Sequence, residues 1–165
     1  MDRDSAIRRF ESFLASAVEL EPTPDELELA SRIEEAAVRA GVELDSGESQ
    51  LCAIAVLRGP MILLTGDKRA IAGAEKVQGT VNELSALQGK IVCLEQAIAG
   101  VSERIGVEEV RARICAEPNA DKALSICFQC SSTSPRADSF MEGLVSYVQD
   151  LRIKASTLLY AEDQL

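Results

Sequence analysis

Two short apolar runs constrain the fold more than anything else in the chain. Residues 61–65 read Met-Ile-Leu-Leu-Thr, and residues 90–94 read Lys-Ile-Val-Cys-Leu. The first follows Arg58-Gly59-Pro60 and breaks at Gly66-Asp67, and Gly89 precedes the second. Glycine and proline at these points punctuate the chain, so each run predicts a strand. Continuous apolar character, rather than alternation, is expected of strands covered on both faces. Between them, residues 68–76 have a helical pattern and residues 81–87 predict another short helix. A strand, a helical crossover and a second strand form a parallel βαβ unit. The expected fold class is α/β: helix-rich, with a partial parallel sheet and an all-helical C-terminal portion.

The flanking segments predict helices with legible ends. Residues 5–18 are amphipathic, with Ala6, Phe10, Phe13, Leu14 and Ala17 on one face and Arg8, Arg9 and Glu11 away from it. Thr23 is an N-cap, Pro24 suits a first helical turn and Glu26 completes a capping box, starting a helix that runs to Ala40 and stops at Gly41. Asp45 with Glu48 repeats the capping box for a third helix carrying Leu51, Ile54, Ala55 and Val56. Beyond Glu95, helices are expected over residues 96–105, 107–116, 119–130 and 138–160, with a polar loop at 131–135. Residues 1–95 then form the α/β core and residues 96–165 a helical region packed on it.

At 165 residues and 47% hydrophobic content, the chain can bury a core. With aromatics at 4% and no Trp, that core is built from Ala, Leu, Ile and Val. A formal charge of −10 repels a phosphate backbone, so binding nucleic acid requires a local basic patch or a bound cation. The absence of His excludes histidine bases and imidazole ligands. Cys52 and Cys93 lie in apolar runs and read as core. Five cysteines, an odd number, and a charged N-terminus without an apolar signal region predict reduced thiols and a cytoplasmic protein. No apolar run approaches the roughly 20 residues of a membrane span. Cys127 and Cys130 have the spacing of half a zinc site with Cys115 as a third ligand, but the same spacing places two core cysteines on one helix face. Arg104, Arg111 and Arg113, among Glu103, Glu108 and Glu109, read as a solvated face with intrahelical ion pairs.

The chemistry centres on Asp45, Glu48 and Asp67. Ligands of open α/β sheets bind beyond the C-terminal ends of the strands. Asp67 sits at such an end, and Glu48 starts the helix that feeds the same strand. Clustered carboxylates suit Mg²⁺ or Mn²⁺, which polarise a phosphodiester and lower the pKa of a bound water. Each acid also has a plainer role, Glu48 in its capping box and Asp67 at the N-terminus of the following helix.

The run Val42-Glu43-Leu44-Asp45-Ser46-Gly47-Glu48, its Ala-rich helix, and then Ile62-Leu63-Leu64-Thr65-Gly66-Asp67-Lys68 resemble the late part of a PIN nuclease domain. The resemblance implies a metal-dependent ribonuclease fold, with Glu48 and Asp67 as catalytic acids and Asp45, Glu48 and Asp67 as metal ligands. The family's opening strand with its essential Asp has no counterpart in residues 1–18. That strand lies outside this chain, or the chain is a degenerate relative, or the elements are permuted, with residues 90–94 as the missing strand and Glu95 for its Asp. Two functions follow as expectations. One is a divalent-metal ribonuclease acting on RNA, including a toxin restrained by an antitoxin-type partner. The other is a non-catalytic PIN-like scaffold for protein interaction. Uncovered sheet edges would also favour a homodimer, unless the 5–18 or 138–160 helix covers them.

Overall fold

The computed structural model describes residues 3–59 and 61–161. Pro60, expected to help end the third helix, lies outside them, as does the side chain of Ala6. In chain order the elements are α1 (Arg3–Ser16), α2 (Pro24–Ala40), α3 (Ser46–Leu57), β1 (Leu63–Thr65), α4 (Lys68–Val77), a 3-10 helix (Asn82–Leu87), β2 (Ile91–Cys93), α5 (Leu94–Ile105), α6 (Val107–Ile114), α7 (Lys122–Cys127) and α8 (Asp138–Lys154). The strands pair in parallel, Leu63 opposite Ile91 and Thr65 opposite Cys93, which makes the βαβ unit. Helix-rich α/β architecture is thus present.

Capping residues set the helix starts. The Thr23 hydroxyl accepts from the Glu26 N–H, and the Glu26 carboxylate accepts from the Thr23 N–H. The α2 helix ends where Gly41 takes a left-handed φ of 64°, open to a residue without a Cβ. Glu26 does more than cap. Its side chain is buried and accepts from Arg58 Nε at 2.6 Å and Nη2 at 2.9 Å, which ties the start of α2 to the end of α3. Hydrogen bonds from Arg58 and then from Thr23 hold the Glu26 carboxyl down at about 2. Because this lies below the unfolded value, the stability it contributes is complete above about pH 4.5 and is lost as pH falls toward 2. Glu26→Gln keeps the capping box but not the ion pair. Its stability-versus-pH curve is expected to be flatter than wild type between pH 5 and 2; parallel curves would refute this role.

Two apolar clusters organise the interior. The larger joins α2, α3, α4 and both strands to the last turns of α8 and residues 155–159. The smaller gathers Val110, Leu124, Cys127, Phe128, Phe140 and Leu144, with the Phe128 and Phe140 ring centroids 5.6 Å apart.

The structure corrects several expectations. Residues 155–160 are not helical. Leu159 bridges Ile91 in parallel, with Ile91 N–H donating to Leu158 O and Tyr160 N–H to Ile91 O. The free edge of β2 offers these groups, and the Glu75 carboxylate fixes the segment by accepting from Thr157 N, Thr157 Oγ1 and Leu158 N. The other sheet edge, β1, is not covered on both faces: Ile62 is 61% and Leu64 56% exposed. Helix α1 does not cover it, since Phe10, Phe13 and Leu14 are themselves exposed. Cys115 and Cys130 are not reduced thiols but a disulfide, their Cα atoms 5.1 Å apart, within bridging range. This pairing takes both from the zinc reading and leaves Cys52, Cys93 and Cys127 free and buried. Arg113 pairs with Glu109 as an intrahelical ion pair. Arg111 instead turns inward, donating to the Phe128 carbonyl at 3.0 Å with its guanidinium over the Phe140 ring. Among the described residues no helix is long and apolar enough to cross a membrane.

Candidate functional site

The sequence brings Asp45, Glu48 and Asp67 into one cleft because three local rules coincide. Asp45 caps α3: its Oδ1 accepts from the Glu48 N–H at 2.9 Å while Glu48 Oε2 accepts from the Asp45 N–H at 3.0 Å. This fixes Glu48 on the first turn, facing the strand that α3 feeds. Asp67 follows β1 across Gly66 and caps α4, its Oδ1 accepting from the N–H groups of Arg69 and Ala70. Gly73 then allows α4 to lie against the 42–43 segment, since a Cβ there would stand 2.8 Å from the Glu43 carbonyl oxygen. The result is a cavity of about 310 Å³ with all three acids and Arg69 on its walls. Behind it, Leu63 and Thr65 face Leu51, Cys52 and Ile71 around a small apolar hollow that also touches Glu48.

The two facing acids differ in their electrostatics. Burial, and after it the charges of Asp67 and Asp45, push the Glu48 carboxyl above the ordinary carboxylate range, against the opposing hydrogen bond from the Asp45 N–H. Asp67 shifts the other way. Burial acts to raise it, but the N–H groups of Ala70 and Arg69 and the Arg69 side chain together hold it below the usual range. Two neighbouring carboxyls driven apart in this way are an arrangement associated with acid–base and metal chemistry. The Arg69 guanidinium stands at the rim, 2.7 Å from Glu43 Oε2 and 3.4 Å from Asp67 Oδ2.

Asp45 is committed through Oδ1 to its own helix. Among the described residues there is no group of three or more acid or thiol side chains arranged to hold a metal ion. Mg²⁺ is commonly held by one or two carboxylates with water and phosphate completing its shell, and Glu48 and Asp67 are the two carboxylates that face each other in the cleft. Glu95, expected at the end of a strand over 90–94, stands instead in the first turn of α5, because β2 ends at Cys93, and it does not line this cleft. It is buried, and its Oε1 accepts from Lys68 Nζ while Oε2 has no hydrogen-bond partner. Sequence reasoning missed this pair; the signal was a lone acid inside the apolar run of β2 and α5. No protein-family model, curated protein or solved structure matches the chain.

Proposed function

We propose that this chain is a PIN-like protein whose Glu48 and Asp67 hold a divalent cation, Mg²⁺ or Mn²⁺, for cleavage of a phosphodiester in RNA. One observation carries the reading: Asp45, Glu48 and Asp67 line one cleft beyond the C-terminal end of β1, with Arg69 at its rim. The cation, when bound, would supply positive charge to the phosphate and activate water. The chain's own residues do the rest. Glu48 and Asp67 would present carboxylate oxygens to the cation, and Asp45 keeps the Glu48 backbone in place. Arg69 offers a fixed positive charge at the mouth. Restraint by a protein partner belongs to the same proposal.

A second reading is a non-catalytic scaffold. It is favoured by the capping duties that already occupy Asp45, Glu48 and Asp67. Thermal melting separates the two. For the metal-binding protein, a cation at 100 times its dissociation constant stabilises by about 2.7 kcal/mol. That raises the melting temperature by roughly 5–11 °C for a chain of this size. Asp67→Asn is expected to abolish the rise. Glu48→Gln, which keeps the capping box and removes repulsion, is expected to weaken it without lowering the metal-free melting temperature. A wild-type curve indifferent to millimolar Mn²⁺ refutes metal binding and leaves the scaffold.

A further inference from the structure

The acid cleft does not end at Arg69. Val42, Glu43 and Arg69 also wall a second, larger cavity of about 540 Å³, which continues along the outer face of α4 to Lys76 and Lys154. The chain carries a formal charge of −10, yet this groove has three cations on its walls. Arg69 and Lys76 are seven residues apart on α4, which sets them on one face about 10 Å apart along the axis. Lys154, at the end of α8, extends the line from a second element. Gly73 lies between them in the lining, buried against the Glu43 backbone.

We propose that this groove is a track for the phosphate backbone of a single-stranded nucleic acid, laid across Lys154, Lys76 and Arg69 and delivered to Glu48 and Asp67. At its acid end the proposal rests on the metal-binding reading above; at its basic end it stands on the groove itself. The partners these cations now have are weak ones. Arg69 with Glu43 and Lys154 with Asp150 are both largely exposed pairs, which contribute little and are easily exchanged for phosphate. Lys76 makes no ion pair among the described residues. A groove with cations along its length and carboxylates at one end suits a strand that brings phosphate to a metal. An acidic polypeptide would meet those carboxylates with no bridging cation.

Anisotropy of a fluorescein-labelled 12-nucleotide single-stranded RNA, titrated with the full chain in EDTA, tests the track apart from the metal. With three phosphates neutralised, log K is expected to fall against log salt with a slope of about −2. Lys76→Glu with Lys154→Glu should weaken binding at least tenfold and flatten the slope to about −0.7. The Mn²⁺-induced melting shift should be unchanged in that variant, which also reports that it is folded. Binding of the RNA in EDTA without any Mn²⁺ shift would support the track and overturn the metal reading. A Mn²⁺ shift without RNA binding would do the reverse. Equal binding of a duplex or of a poly-glutamate 12-mer, or a slope untouched by the double charge reversal, would overturn the track.

Discussion

Lys68→Met is expected to cost about 3 kcal/mol of folding free energy, the low end of the range for breaking a buried ion pair. The Lys68 ammonium is the hydrogen-bond donor to Glu95, whose side chain is only 1% exposed. Glu95 Oε2 has no partner of its own, so without Lys68 a carboxylate is left in the interior with nothing to offset its lost hydration. The low end applies because the Lys68 side chain is 30% exposed, so water can enter where the lysine was. For a chain of this size the loss lowers the melting temperature by roughly 6–12 °C. The double variant Lys68→Met, Glu95→Leu separates burial of charge from simple loss of packing. Removing both charges is often neutral or stabilising by about 1–4 kcal/mol, so it is expected to melt at or above wild type. A double variant as unstable as Lys68→Met would show that the charge on Glu95 is not the source of the cost.

Reduction of the Cys115–Cys130 bond is expected to cost about as much. The bond closes a loop with a sequence separation of 15, worth about 3 kcal/mol through the unfolded chain. It joins the end of α6 to the turn after α7, beside the buried Phe128 and Phe140 rings. Thiol titration of the unfolded, unreduced protein should find the three cysteines Cys52, Cys93 and Cys127. All five should react after reduction. The reductant should lower the melting temperature by roughly 6–12 °C and leave Cys115→Ser, Cys130→Ser indifferent. Five reactive thiols before reduction would refute the bond.

What was legible in the sequence was what neighbours in sequence decide. Both capping boxes, the stop at Gly41 and the strand-helix-strand order depend on residues within a few positions of one another. Asp45, Glu48 and Asp67 were placed in one cleft because each is fixed by such a local rule. The illegible parts join distant residues. Glu26 meets Arg58 across 32 positions and Lys68 meets Glu95 across 27, and neither end announces its partner. The apolar residues of the 155–160 segment continue the periodicity of α8 and so predict helix, while the edge of β2 that claims the segment lies far upstream. Arg111 reads as a surface cation until the Phe128 carbonyl and the Phe140 ring are folded beneath it. The exposure of Leu64 was hidden for the opposite reason, since an apolar strand reads the same whether or not a neighbour covers it.

The bridge between Ile91 and Leu159 has a consequence for the order in which the protein is made. The larger apolar cluster contains Ile33, Leu84 and Ile91 together with Leu151, Leu158 and Leu159. A nascent chain that has released α2, α3 and both strands therefore still lacks part of its own interior. At about 5–20 residues per second, that open state lasts for seconds at the ribosome exit, with both edges of the two-stranded sheet bare. Docking of residues 158–160 closes one edge only when nearly the whole of the described chain has emerged. A pause in translation after β2 would prolong exposure of the sheet, whereas a pause before β1 would leave nothing of it to expose.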